Sequence, residues 1–274
     1  MNKFMALVGQ PVSHSWSPAL FNYVFDRSRI SADYFSMSVG KNHLERFIKF
    51  SRENCFGFNV TMPHKGTVIP LIDEVDPEAM EIGAVNVVAN DNGHLIGFNT
   101  DFSGFSRFLV QAGIDFQGRS ILFVGGGGAF RAVRYAINKN FRPGEESVLV
   151  RDPGKYRDGP EGVRFLDYGG IPSSSDFVIN CSPVGMVGIS GPAHLPEPII
   201  SGCETFIDLI YNPVRTGSVI LAKRMGKRAF SGLDMFLYQA EDSFEKVFNT
   251  RADHVLFKES IERITGESHD KVQG

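Results

Sequence analysis

The segment Ile121-Leu122-Phe123-Val124-Gly125-Gly126-Gly127-Gly128-Ala129-Phe130-Arg131-Ala132-Val133 decides how the rest of the chain is read. Four apolar residues make a short strand, four glycines follow, and Ala129, Val133, Ala136 and Ile137 then recur at helical spacing. Glycine between a strand and a helix lets backbone N–H groups approach an anion at the helix N-terminus, where the helix dipole favours negative charge. Gly125 and Gly127 fit the first two glycines of a dinucleotide-binding G-x-G-x-x-G turn, but the sixth position holds Phe130. Four glycines after a strand could also be no more than a tight turn. The next strand, over 147–150, runs into Arg151-Asp152-Pro153-Gly154-Lys155, about where a ribose-binding acid stands in NAD enzymes. Two cations there suit a 2′-phosphate and hence NADP. Asp152, as an acceptor for a ribose hydroxyl, keeps NAD as the alternative.

Outward from this turn, strand-like and helix-period segments alternate, which predicts an α/β fold. Downstream, strands are expected over 163–166, 176–180 and 205–208, with a long Gly- and Pro-rich loop over 183–198. Leu233, Phe236, Leu237, Ala240, Phe244 and Val247 mark an amphipathic helix, and Phe257, Ile261 and Ile264 another before a polar tail from Gly266. Upstream, strands over 3–8, 34–39 and 57–60 enclose a helix face of Leu44, Phe47 and Ile48. Segments 86–89 and 94–98 flank Asp91-Asn92-Gly93, a hairpin signal because Asn and Gly tolerate left-handed backbone.

The 274 residues suffice for two domains, and 42% hydrophobic against 22% charged content describes a globular chain rather than a disordered one. With 28 Lys+Arg against 31 Asp+Glu the net charge is −3, so no basic field exists to hold nucleic acid. Cys55, Cys181 and Cys203 show no CxxC spacing and read as thiols of a reducing compartment. The seven histidines have no HxH or HxxxH spacing, and no metal site is expected. The apolar stretch at 4–8 is too short for a signal peptide and no run reaches a membrane span. A soluble, cytoplasmic protein with no nucleic-acid or membrane partner is expected.

Four polar stretches lie in the first half. Ser15 and Ser17, within 9–18, offer hydroxyls to a small polar ligand, although Ser17 before Pro18 also suits a helix cap. Lys65 ends Asn59-Val60-Thr61-Met62-Pro63-His64-Lys65; it is either a surface charge or a proton donor held among polar groups. Asn86 closes Gly83-Ala84-Val85-Asn86, and Asp101 closes Asn99-Thr100-Asp101, where it could cap the following helix. His14 and His64 read as residues that structure loops.

Taken together, G-x-P-x-x-H-S-x-S-P at 9–18, N-V-T-x-P-x-K at 59–65, G-A-V-N at 83–86 and N-T-D at 99–101 closely resemble the shikimate dehydrogenase family. The later stretches Asn180-Cys-Ser-Pro-Val-Gly-Met186, Asp208-Leu-Ile-Tyr211-Asn-Pro213 and Gly232-Leu-Asp-Met235 with Gln239 agree, so the resemblance runs from about 6 to about 248. It implies reversible NADPH-dependent reduction of 3-dehydroshikimate to shikimate, on the route to chorismate and aromatic amino acids. It also implies two α/β domains flanking a cleft: 1–101 plus 235–274 for substrate, and 102–234 as an NADP-binding, Rossmann-type doubly wound parallel sheet.

By the same resemblance Lys65 and Asp101 are the catalytic pair. Ser15 and Ser17 bind the substrate carboxylate, and Thr61, Asn86, Tyr211 and Gln239 contact its ring hydroxyls. Gly125, Gly127, Gly128 and Ala129 take the pyrophosphate, Arg151 and Lys155 the adenosine ribose, and Met186, Gly232 and Met235 lie near the nicotinamide. A monomer or homodimer is implied. The chain departs from the family pattern at Val150 and Asp152, where Asn and Thr are usual, at Trp16, at Phe98 and at Gly126, where Ala is frequent. The alternatives are an NAD-dependent quinate/shikimate dehydrogenase and a non-catalytic nucleotide sensor on the same fold.

Overall fold

A computed structural model describes residues 3–157 and 159–268. It divides into two compact units: the residues up to Phe105 with those returning from Leu237, and Ser106–Phe236.

In the first unit, the expected strands and helices appear as β1 (Phe4–Gly9), α1 (Ser17–Ser28), β2 (Tyr34–Ser38), α2 (Leu44–Asn54) and β3 (Cys55–Val60). Then come β4 (Glu74–Val75), α3 (Pro77–Ile82), the hairpin β5 (Val87–Asp91) and β6 (His94–Phe98), and α4 (Thr100–Ala112). The sheet order is β2-β1-β3-β5-β6-β4, parallel from β2 to β3 and antiparallel from β3 through β5 to β6. Asn92 and Gly93 turn the hairpin with φ of 52° and 98°, the left-handed backbone that their residue types tolerate. The two-residue β4 and six-residue α3 are absent from the sequence reading, because neither is long enough to show a period.

The apolar face of α2 (Leu44, Phe47 and Ile48) packs on Phe58, Val60 and Val88 of the sheet. Phe47 meets Phe58 edge-on at 5.1 Å, a favoured aromatic geometry.

The second unit contains β7 (Ile121–Val124), α5 (Gly128–Asn140), β8 (Glu146–Leu149), β9 (Val163–Leu166) and β10 (Ser175–Asn180). After the long loop come α6 (Glu197–Ser201), β11 (Cys203–Asp208), α7 (Gly217–Arg224) and β12 (Arg228–Phe230). All six strands are parallel, in the order β12-β11-β10-β7-β8-β9. Chain order reverses beside β7, which is the topological switch point of a Rossmann-type sheet. The central strand β7 is a continuous apolar run buried throughout, as a parallel sheet covered on both faces requires, whereas the edge strands β9 and β12 carry Arg164 and Arg228. On one face Leu122, Val124, Val178 and Phe206 pack with Ile199 and Ile200 of α6 and Val219 and Ala222 of α7.

The chain ends with α8 (Leu233–Phe248) and α9 (His254–Thr265). The polar tail expected from Gly266 continues past residue 268, outside the described residues. Among the described residues no helix is long and apolar enough to cross a membrane.

Candidate active site

In the first unit, strand register brings the four polar stretches to one sheet edge. Val8 near the end of β1 is level with Val60 at the end of β3. Asn59 of β3 is level with Val87 at the start of the antiparallel β5, and Val87 with Phe98 at the end of β6. The stretches holding Ser15 and Ser17, Thr61 and Lys65, Asn86, and Asp101 all leave the sheet at this edge.

The centre of the cluster is an ion pair. Lys65 Nζ donates to Asp101 Oδ2 at 2.5 Å, with the lysine side chain 19% exposed and the aspartate 11%. Asp101 Oδ1 accepts from Asn86 Nδ2 at 2.9 Å. Both carboxylate oxygens therefore accept, the pattern of an ionised acid, while Lys65 has no other side-chain partner among the described residues. Partial burial strengthens such a charge-assisted contact relative to one in water.

Asp101 does not cap α4, as one reading of the sequence allowed. Asn99 does, its Oδ1 accepting from the Phe102 N–H at 3.1 Å, which frees the Asp101 carboxylate for Lys65. Ser17 is likewise not a cap. It is the first residue of α1, and the Ser15 hydroxyl accepts from the Ser17 N–H at 3.2 Å. Ser15 Oγ and Ser17 Oγ stand 3.1 Å apart, a hydroxyl pair on one turn. His64, fully buried, sets Nε2 2.6 Å from the Val39 carbonyl and ties the Lys65 turn to the segment after β2.

Behind the ion pair runs a buried polar chain in which the sequence motifs assign a role only to Asn86 and Gln239. Asn86 Oδ1 accepts from the Thr100 N–H at 2.6 Å, and Asn86 Nδ2 also donates to Thr100 Oγ1 at 3.1 Å. Thr100 Oγ1 lies 3.0 Å from Ser243 Oγ and 3.0 Å from the Gln239 carbonyl oxygen. Asn59 donates to Ser243 Oγ at 3.0 Å and accepts from the Tyr34 hydroxyl at 2.9 Å. Thr100, Ser243, Asn59 and Tyr34 carry no local signal of this role; the only clue was polar residues inside otherwise apolar strand and helix faces.

In the second unit, register again aligns the stretches singled out. Val124, Leu149, Asn180 and Asp208 end β7, β8, β10 and β11 at one edge. Gly125 there has φ of +97°, and Gly127 is the N-cap of α5 with no side-chain cap bond. A Cβ on Gly127 would meet nothing within 4 Å, so the approach to the helix N-terminus is open. Gly128 and Ala129 begin α5. These residues fit the phosphates of a dinucleotide.

Arg151 and Lys155 are exposed beside this edge. Asp152 Oδ1 accepts from the Gly154 N–H at 3.1 Å and caps the turn over 153–156, and its Oδ2 is 3.7 Å from Lys155 Nζ. Its charge is thus engaged locally, and Arg151 has no ion-pair partner among the described residues.

Asp208 is fully buried and accepts three hydrogen bonds: from Asn180 Nδ2 at 3.0 Å, the Ile210 N–H at 3.2 Å and Thr216 Oγ1 at 2.7 Å. Burial pushes its carboxyl up to about 7, the hydrogen bonds pulling the other way. Tyr211 belongs to this unit and stacks on Phe236 at 3.9 Å. Met186 is half-buried and Met235 buried, and a Cβ on Gly232 would come 2.2 Å from the Leu209 carbonyl oxygen, which only glycine permits. Among the described residues no group of three His, Cys, Asp or Glu side chains is placed to hold a metal.

These features define a two-unit α/β protein: a mixed-sheet unit with a lysine–aspartate pair, and a Rossmann-type unit with a glycine-rich turn. Residues 7–88 match the family model described as the shikimate dehydrogenase substrate binding domain. The chain is 34% identical over 276 residues, 96% of each chain, to Shikimate dehydrogenase (NADP(+)) of Dehalococcoides mccartyi. Among solved structures it resembles Shikimate Dehydrogenase 1 of Peptoclostridium difficile (TM-score 0.84, 31% identity, all of both chains). It also resembles shikimate 5-dehydrogenase of Thermus thermophilus in complex with NADP(H) and shikimate (TM-score 0.80, 30% identity, 95% of this chain and 99% of that one). The chain belongs to the shikimate dehydrogenase family.

Proposed function

We propose that this protein is an NADP-dependent oxidoreductase of the cytoplasm that reversibly reduces 3-dehydroshikimate to shikimate. The observation that carries the reading is the 2.5 Å Lys65–Asp101 pair, set at one sheet edge with Ser15, Ser17, Thr61 and Asn86. The bound dinucleotide would supply the hydride. Everything else is asked of the chain's own side chains.

Lys65 is the proton donor to the substrate oxygen and accepts the proton in reverse. Its ammonium has three hydrogens, of which one is on Asp101, so two are available to a carbonyl. Asp101 accepts at both oxygens and has no proton to give; it orients Lys65 and stabilises its charge. Asn86, with both amide hydrogens engaged by Thr100 and Asp101, holds that carboxylate in place. The Ser15 and Ser17 hydroxyls suit the substrate carboxylate, and Thr61, Gln239 and Tyr211 its ring hydroxyls. Gly125, Gly127, Gly128 and Ala129 take the pyrophosphate, Arg151 and Lys155 the ribose phosphate, and Met186, Gly232 and Met235 the nicotinamide side. The exposed Arg151 cation, with no ion-pair partner among the described residues, supports NADP over NAD because it suits a 2′-phosphate.

A spectrophotometric panel at 340 nm tests this, with shikimate and quinate each offered with NADP and NAD. Preference for shikimate with NADP in kcat/KM is expected. Preference for quinate or NAD would move the protein to the quinate/shikimate reading, and no turnover in any well, with dinucleotide binding intact, would refute the catalytic assignment.

A further inference from the structure

Two oddities of the glycine-rich turn, Gly126 in place of the frequent Ala and Phe130 at the sixth position of the glycine pattern, lead to the same neighbourhood. Phe165 of β9 packs edge-on against Phe130 at 6.3 Å and stacks nearly parallel on Tyr156 at 4.6 Å and 8°. The Tyr156 ring also lies against Gly126: a Cβ there would come within 2.7 Å of the ring and 2.9 Å of its hydroxyl oxygen. Glycine at 126 is therefore what lets Tyr156 sit against the turn, and Phe165, backed by Phe130, fixes the ring there. Packing alone accounts for the ring but not for the hydroxyl. The Tyr156 Oη has no hydrogen-bond partner among the described residues and is not sealed from solvent, yet it lies beside the backbone of the turn that opens α5. Arg131 follows on the first turn of α5 and adds a cation to the helix that the glycine-rich turn opens.

Resting on the dinucleotide reading of this turn, we propose that Tyr156 is a cofactor-binding residue: its hydroxyl donates to a phosphate oxygen on the adenosine half of NADP(H). A phenol O–H beside uncapped helix N–H groups complements an oxyanion, and a hydrogen bond to a charged group is among the stronger ones. The departures at Gly126 and Phe130 are then parts of one device, an aromatic support that carries a donor to the turn.

The test is binding rather than turnover. Dissociation constants for NADPH and NADH are measured by titration of nicotinamide fluorescence or by calorimetry, for the unaltered chain and for Tyr156→Phe, which keeps the stack and removes only the hydroxyl. Weakening of NADPH by about tenfold is expected. If NADH is unaffected, the acceptor is the 2′-phosphate; if both weaken alike, it is the diphosphate. Gly126→Ala, which crowds the ring from the turn side, is expected to weaken NADPH and to add nothing when Tyr156 is already Ala. Unchanged constants for both cofactors in Tyr156→Phe would overturn the proposal while leaving the cofactor site standing. An unaltered chain that bound neither dinucleotide would sink the cofactor reading itself, and this proposal with it.

Discussion

Thr100→Val tests whether the buried polar chain behind the ion pair supports both fold and chemistry. Val matches Thr in shape, so the change removes a hydroxyl without opening a cavity. Thr100 is 1% exposed, and its Oγ1 meets three residues: Asn86, at Nδ2 and more distantly at Oδ1, the Gln239 carbonyl and Ser243 Oγ. Two of these have other partners. The Gln239 carbonyl still accepts from Ser243 Oγ at 2.7 Å, and Ser243 Oγ still accepts from Asn59 at 3.0 Å. The group left stranded is one Asn86 N–H, in a residue 4% exposed.

A single buried unsatisfied donor costs about 1–3 kcal/mol, and that is the expected loss of unfolding free energy. Thr100→Ser, which restores the hydroxyl, should recover most of it. Because the other Asn86 hydrogen holds Asp101 Oδ1, the freed amide is also expected to loosen the acid beside Lys65, lowering kcat by about tenfold, the effect of roughly 1.4 kcal/mol on the barrier. Urea unfolding followed by circular dichroism gives the first quantity and initial rates at saturating substrate the second. A valine variant as stable as the unaltered chain, with unchanged kcat, would refute the idea that Thr100 organises Asn86.

Lys65→Ala should lower kcat by about 10²–10⁴ with a smaller change in KM, the usual scale for a positioned acid/base, and steady-state kinetics with near-normal turnover would remove Lys65 from the mechanism. Arg151→Ala should weaken NADP far more than NAD, as read by fluorescence titration; equal losses would show that Arg151 does not read the 2′-phosphate. Asp208, raised by burial from 3.8 to about 7, gives a pH signature. Between these values the folded chain holds a proton that the unfolded chain has lost, so the contribution is full below about pH 4 and is lost as pH rises through about 7. Urea titrations from about pH 4 to about pH 8 should show this decline in the unaltered chain and a flatter profile in Asp208→Asn, and parallel profiles would exclude Asp208 as its source.

Much of this protein was legible locally. Alternating periods, the glycines after β7 and the Asn-Gly turn are written in neighbouring residues, because strand, helix and turn preferences act over a few positions. The short β4 and α3 escaped for the same reason, since they are stabilised by the sheet and chain around them rather than by a pattern of their own. The content of the polar stretches was also legible, and with it the family.

What tertiary structure alone decided is which of several local options each polar residue took. Ser17, Asp101 and Asp152 all sit where a cap is chemically reasonable, and only Asp152 is one. Asp101 is released from that role because Asn99 performs it and Lys65, 36 positions away, reaches its carboxylate. Asn59 and Ser243 are 184 positions apart and share a hydrogen bond. Sequence spacing cannot signal such a pair, since parallel register and the return of α8 set it. Residue types and local periods therefore determined the fold class and the chemistry available. Long-range register and burial selected the partners, because a buried polar group must be satisfied by whatever donor or acceptor the packed fold places beside it.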